Sequence, residues 1–149
     1  MWRRATLDDA DSIVAMCKAL NEEDPGTHPV PEQYTRQTIA KLHHEPTRGT
    51  IALLDTDQGP QGYAFLIPFW SNELGGDVCV IDEIFVMPAL RSHGHGRVLI
   101  EMVKQGSGVW PEKPVAVDLE VSPKNKRARA LYEQLGFKSI RNALMRFEG

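Results

Sequence analysis

The sequence predicts an α/β fold of the α+β kind, with about six to seven strands and about four helices. Four segments carry apolar residues at helical spacing, and the other elements are short apolar runs bounded by glycine, proline, asparagine or aspartate. The chain has 149 residues and contains neither an internal repeat nor a linker-like stretch. We therefore expect one domain over residues 1–149.

The first half of the chain is predicted to form two helices and four strands. Ile13, Cys17 and Leu20 recur at helical spacing after Thr6, a good N-cap residue, and a turn at Asp24-Pro25-Gly26 ends this first helix. The other predicted elements are a helix over 32–44 and strands over 2–5, 50–55, 62–70 and 78–87.

The second half begins with a glycine-rich stretch and a helix over 94–105. Val98, Leu99, Met102 and Val103 are predicted to form the apolar face of that helix. A strand over 115–121, a helix over 126–135 and two final strands over 137–140 and 144–147 are predicted to follow.

The composition is that of an ordinary globular protein, with 42% hydrophobic and 25% charged residues. No apolar run reaches transmembrane length and the first residues lack the apolar core of a signal peptide, so we expect a cytoplasmic protein without a membrane partner. Cys17 and Cys79 lie far apart in apolar patterns, which predicts reduced core thiols. No cysteine or histidine spacing indicates a bound metal.

The net charge of −3 divides unevenly along the chain. Residues 1–87 carry 14 acidic and 6 basic side chains, a net −8, whereas residues 88–149 carry 6 acidic and 11 basic ones, a net +5. The basic half fits a phosphate-rich ligand, and the acidic half favours a cationic partner. The negative total and the lack of aromatic residues among the basic ones argue against a nucleic-acid partner.

The stretch Arg91-Ser92-His93-Gly94-His95-Gly96 lies between a predicted strand and a predicted helix. The first turn of a helix has unpaired N–H groups and a partial positive charge, and glycine lets a phosphate come close to that backbone. Arg91 adds a guanidinium that can donate two parallel hydrogen bonds. The stretch therefore predicts a polyanion site. A Rossmann motif would need glycine where Leu99 stands, and a P-loop would need Gly-Lys-Ser/Thr. His93 and His95 have no nearby partner ligands for a metal.

Four stretches, taken in order, resemble one known family. They are IDEIFVMP (81–88), RSHGHG (91–96), DLEV (118–121) and NKRARALYEQLGF (125–137). The chain resembles the GNAT superfamily of acetyl-CoA-dependent N-acetyltransferases, which show Arg/Gln-x-x-Gly-x-Gly/Ala after the fourth strand and Asn…Ala…Leu-Tyr…Gly-Phe after the fifth. The resemblance covers nearly the whole chain and implies the GNAT fold, with a mixed, mostly antiparallel sheet. Within the superfamily, IDEIFVMP is most similar to small-molecule amine acetyltransferases of the polyamine type.

The resemblance implies acetyl-CoA as the cosubstrate, with no metal, and it assigns the binding residues. The pyrophosphate would lie on the amides of the glycine turn, and the pantetheine arm would pair with the preceding strand and contact Asn125. The implied residues are Ile84, Phe85, Val86, Arg91, Ser92, His93, Gly94, His95, Gly96, Arg97 and Asn125. His93 and His95 depart from the family pattern, but contacts to the backbone do not need these side chains.

Acetyl transfer to an amine requires loss of the ammonium proton, donors for an oxyanion, and a proton for the leaving thiolate. Tyr132, seven residues after Asn125, matches the family's general acid. Three carboxylates are open as the base, in the order Asp82, Glu120, Glu83, as is a mechanism without a dedicated base. Neighbouring strand residues face opposite sides, so Glu83 needs a bulge that reverses the alternation.

The acceptor site is predicted from acidic and polar residues of the N-terminal half, which suit a small cationic amine. The candidates are Glu22, Glu23, Tyr34, Trp70 and Asn72. We therefore predict direct acetyl transfer to a primary amine in a ternary complex. The alternatives are an acyl-CoA-binding module without catalysis, and a protein N-terminal or lysine acetyltransferase. Family dimers often share C-terminal strands, so the resemblance also suggests a homodimer.

Overall fold

The computed structural model describes residues 1–140 and 142–149. Within them, one mixed sheet carries helices on both faces. The strands are β1 (Trp2–Arg4), β2 (Thr50–Thr56), β3 (Gly59–Ser71), β4 (Gly76–Val86) and β5 (Ala116–Leu119). The helices are α1 (Ala10–Glu23), α2 (Glu32–His44), α3 (His95–Gln105) and α4 (Lys126–Gln134).

The strands lie in the order β1-β2-β3-β4-β5. Neighbours from β1 to β4 are antiparallel, whereas β4 and β5 are parallel. A parallel pair needs a crossover connection, and α3 provides it. This mixed sheet with four helices confirms the predicted α+β fold. No helix in the described part of the chain has the length and apolar composition that a membrane span needs.

The sheet has five strands among the described residues, fewer than the six or seven predicted. The difference lies at the end of the chain, where the segments 137–140 and 144–147 form no strand. Ile140, Leu144 and Phe147 are each at least 76% exposed. Apolar residues mark a segment that is able to pair, but neither segment joins the described sheet, whose last strand is β5. The prediction of these two strands is therefore wrong.

The sheet separates two hydrophobic cores. One core contains Leu99 and Ile100 of α3, and the other contains Ile13 of α1. Cys17 and Cys79 are buried free thiols, one in each core, which confirms that prediction. Val98 is 52% exposed, contrary to its predicted place on the apolar face of α3. The helix turns Leu99, Ile100 and Val103 towards the sheet, and Val98 consequently faces outward.

The pairing of β3 with β4 contains a register shift. Phe65 pairs with Glu83, but Leu66 pairs with Ile81, so Asp82 is an extra residue in β4. Such a bulge reverses the alternation of side chains beyond it. Ile81 packs in the core with α3, whereas Glu83, two residues later, contacts Tyr63 in the opposite core. The bulge therefore turns Glu83 towards the face that α1 covers.

Candidate active site

The glycine turn presents free backbone donors at the start of α3. Gly94, the N-cap residue, has φ 83°, and an added Cβ would meet no atom within 4 Å there. Among the described residues, the N–H groups of His95, Gly96 and Arg97 donate to no protein acceptor, as expected for a first helical turn. The carbonyl of His95 accepts a hydrogen bond from the Trp2 indole at 2.9 Å. The turn is thus open, anchored to β1 and suited to a pyrophosphate.

A cavity of about 700 Å³ joins the end of β4, the glycine turn and α4. All the residues predicted to bind acetyl-CoA line this cavity except His93. They are Ile84, Phe85, Val86, Arg91, Ser92, Gly94, His95, Gly96, Arg97 and Asn125. Tyr132 and Glu23 line the same cavity. The fold therefore brings the strand edge, the phosphate turn and the tyrosine to one place.

Tyr132 lies in the wall of this cavity. The residue is 8% exposed, its ring packs 5.8 Å from that of Phe137, and burial raises its pKa. Within the described residues its hydroxyl makes no protein hydrogen bond, and no buried side-chain polar atom lacks a partner. The hydroxyl must consequently open on the cavity. A phenol that stays protonated at neutral pH is a suitable proton donor for a leaving thiolate.

Arg91 is held by three hydrogen bonds and by a contact with the Phe85 ring. Its Nε donates to the Val86 carbonyl at 2.9 Å, and its Nη1 and Nη2 donate to the two carboxylate oxygens of Glu23 at 2.7 Å each. Its guanidinium lies 5.4 Å from the centre of the Phe85 ring. The hydrogen bonds from Arg91 lower the pKa of Glu23, which therefore stays ionised. The contacts join the end of α1 to the glycine-turn side of this cavity.

Two residues of the α4 start complete the cavity. Asn125 caps α4, since its Oδ1 accepts from the Ala128 N–H at 3.1 Å, and its amide NH₂ donors have no partner among the described residues. Arg127 donates from Nη2 to the Ser92 Oγ at 2.6 Å, which brings a cation to the glycine turn. The sequence alone does not assign Arg127 to this turn, because its position depends on how α4 packs beside α3.

The three candidate base carboxylates lie outside the lining of this cavity. Asp82 is exposed. Partial desolvation and the nearby charge of Glu120 nevertheless raise its pKa, and Arg146 opposes this shift. Burial also raises the pKa of Glu83, although the hydrogen bond from Tyr63 opposes the shift. Leu119 pairs with Ile81, so Glu120 follows beside Asp82.

The predicted acceptor residues do not come together. Glu23 lines the cavity, whereas Glu22 and Tyr34 are exposed on α1 and α2 outside it. Trp70 pairs with Asp77 at the far end of β4, roughly 30 Å from Val86 at the usual rise of a strand.

Trp70 instead lines a larger cavity of about 910 Å³ at that far end, away from Tyr132. Asn72 lies beyond it, in the turn between β3 and β4. The long β3–β4 hairpin therefore places Trp70 and Asn72 far from the cavity that Glu23 and Tyr132 line.

Comparisons with known proteins agree with this geometry. The profile of the family described as Acetyltransferase (GNAT) family matches residues 13–137. An uncharacterized N-acetyltransferase of Bacillus subtilis (strain 168), YhfO, is 24% identical over 135 residues, which cover 91% of this chain and 87% of that protein.

Two solved structures share the fold. A possible acetyltransferase from Clostridium difficile 630 superposes with a TM-score of 0.82 at 20% identity, covering 100% of this chain and 97% of that one. The aminoglycoside N-acetyltransferase AAC(6')-Iy, solved in complex with CoA, superposes with a TM-score of 0.75 at 17% identity, covering 99% and 93%. Because the family profile matches most of this chain, the chain belongs to the GNAT family of acetyltransferases and is an acyltransferase.

Proposed function

We propose that this enzyme transfers the acetyl group of acetyl-CoA to a primary amine, and that the amine is small and cationic. The observation that carries the proposal is the single cavity that joins the free N–H groups of the glycine turn, the edge of β4 and Tyr132. Glu23 and Asp24 are the acidic residues that line that cavity, and carboxylates suit an ammonium group.

Direct transfer in a ternary complex is supported by the state of the two cysteines. Burial raises the pKa of the Cys17 thiol to about 11 and that of Cys79 to about 12. A thiol of this kind is protonated at neutral pH and makes a poor acyl carrier. Both free thiols also fit the reducing cytoplasm, where we propose that the enzyme works.

The proposed roles follow the chemistry of the transfer. Acetyl-CoA supplies the activated acyl group, and its phosphates would be held by the amides of residues 92–97 with Arg127 beside them. Tyr132 would donate a proton to the thiolate as it leaves. Asp82, Glu120 and Glu83 are the candidate bases for the amine, and the raised pKa values of Asp82 and Glu83 support the two carboxylates of β4.

Turnover with a panel of amines tests the function. The protein is incubated with acetyl-CoA and with polyamines, diamines, aminoglycosides or peptides, and the released thiol is titrated while mass spectrometry identifies the product. We expect acetylation of small polycationic amines. Tight acetyl-CoA binding without turnover on any amine would instead indicate a binding module, and turnover confined to peptides would indicate a protein acetyltransferase.

We also propose that the enzyme forms a homodimer through its C-terminal segment. Phe147 is 94% exposed and Met145 90%, and among the described strands β5 pairs only with β4. An open strand edge and an exposed apolar segment suit mutual pairing between two copies. Sedimentation equilibrium of the full chain and of a variant with Leu144→Asp and Phe147→Asp should give a dimer and a monomer respectively. A monomeric full chain would refute this proposal.

A further inference from the structure

Tyr63 is a buried polar residue that the cavity does not use. It stands in β3, it is 0% exposed, and its hydroxyl donates to the Glu83 Oε1 at 2.8 Å. Its ring packs against Phe65 at 5.2 Å and Phe85 at 6.1 Å between ring centres. A ring fixed on both sides cannot turn its hydroxyl away, so the donor is held in one position.

Glu83 is the partner of this hydroxyl because of the bulge at Asp82. Without the extra residue, the alternation of β4 would place Glu83 on the same face as Ile81, towards α3. With it, Glu83 faces the α1 side, one residue before Ile84 in the cavity wall. One carboxylate oxygen accepts from Tyr63, and the other makes no protein hydrogen bond among the described residues.

The geometry points to Tyr63 as a positioning residue that holds the Glu83 carboxylate next to the end of β4 that lines the cavity. In that position Glu83, rather than Asp82 or Glu120, takes the proton of the amine. The inference rests on the proposed function, because it assigns one step of that reaction. Asp82 and Glu120 have no comparable anchor, since neither carboxylate accepts a hydrogen bond from a described protein group. A base must be held in place as well as basic, and this condition favours Glu83.

Few charged or titratable groups among the described residues act on this pair. Asp82 on the same strand acts on Glu83, and Cys17 of α1 lies against Tyr63. Glu120 and Arg146 act on Asp82. A phenol that donates to a carboxylate stabilises the ionised form. Loss of the Tyr63 hydroxyl should therefore raise the pKa of Glu83 and move the acidic limb of the pH–rate profile to higher pH.

The test is a double-mutant cycle. Tyr63→Phe removes only the hydroxyl and keeps the packed ring, and Glu83→Gln keeps the shape of the partner but removes the base. We expect Tyr63→Phe to lower kcat about tenfold with little change in the KM for acetyl-CoA. In the Glu83→Gln background the same change should have no further effect, because Tyr63 acts through Glu83. In an Asp82→Asn background, the matched control, the tenfold loss should persist.

A second measurement does not depend on finding the acceptor. Carbon NMR of protein labelled at the glutamate carboxylates follows the titration of Glu83 in the wild type and in Tyr63→Phe. We expect a titration midpoint at higher pH in the variant, with a similar melting temperature. An unchanged midpoint would overturn the inference even if amines are acetylated. Losses in kcat that add in the double variant would overturn it as well, since a purely structural role of Tyr63 gives additive effects.

Discussion

Replacing Glu23 by glutamine is expected to tighten the binding of coenzyme A. The Glu23 carboxylate occupies both Nη atoms of Arg91, and the charge of Arg127 also acts on it. The phosphates of coenzyme A would bind near the same two arginines. The Glu23 carboxylate therefore competes with these phosphates for Arg91 and Arg127. Glutamine keeps the size of the side chain and removes the competing charge.

The size of the effect follows from the exposure of the pair. The side chains of Arg91 and Glu23 are 26% and 45% exposed, so solvent screens part of their attraction. Ion pairs of this kind contribute up to about 1 kcal/mol, which corresponds to a change of about two- to fivefold in Kd. The gain should shrink in high salt because mobile ions screen the competing carboxylate.

Calorimetric titration with coenzyme A at low and high salt measures the change. Glu22→Gln is the matched control, because Glu22 precedes Glu23 on the same helix and does not line the cavity. That variant should bind the cofactor like the wild type. Under the proposed function, Glu23→Gln should also raise the KM for a cationic amine, so one substitution would act in opposite directions on the two substrates.

Weaker cofactor binding by Glu23→Gln would refute this reasoning. Such a result would mean that Glu23 holds Arg91 in the orientation that the phosphates require, so that the pair prepares the site. Equal changes in Glu22→Gln and Glu23→Gln would also count against it, since they would reflect the net charge of the protein and no local competition.

Three further predictions concern turnover, cofactor binding and stability. Tyr132→Phe should lower kcat about 100-fold and leave the Kd for acetyl-CoA unchanged, and single-turnover kinetics that match the wild type would remove the acid role. Asn125→Ala should lose the cap of α4 and about 1 kcal/mol of stability in thermal unfolding, whereas Asn125→Asp should keep the cap and weaken only the binding of coenzyme A. The hydrogen bonds from Arg3 lower the pKa of Asp9 to about 2 from an ordinary 3.8. The stabilisation from this pair is present above pH 3.8 and is lost as the pH falls through 2. Asp9→Asn should therefore lower the free energy of unfolding by about 2 kcal/mol at neutral pH, and the free energy of unfolding measured in urea should depend less on pH between 3.8 and 2 than in the wild type.

The helices and the glycine turn could be predicted from the sequence because their signals are local. The second helix occupies Glu32–His44, as its pattern after Pro31 predicts, and α3 begins one residue after its glycine N-cap. The glycine turn is a feature of the backbone, so its motif predicts its geometry directly. Features that depend on local conformation are therefore predictable from the sequence.

Features that depend on how strands pair could not be predicted from the sequence. The bulge at Asp82 arises from the register between β3 and β4, which no single strand encodes. The length of the same hairpin places Trp70 far from the cavity that Tyr132 lines, although an aromatic residue near acids in the sequence suggests an acceptor pocket. The segment 144–147 alternates like a strand but pairs with no strand of the described sheet. Each error comes from treating a segment by itself when its neighbour decides its structure.

The hydrogen bond from the Trp2 indole to the His95 carbonyl places the fluorescence of Trp2 in contact with the glycine turn. Trp70 and Trp110 both line the cavity at the opposite end of the sheet, so their replacement by phenylalanine would leave Trp2 as the sole indole near α3. Its emission should then change as coenzyme A occupies the turn. Met1 precedes this strand, and its ammonium donates to the Asp55 carbonyl at 2.6 Å. An affinity tag at Met1 is therefore undesirable. A purification handle at this end would disturb the strand that supports the start of α3.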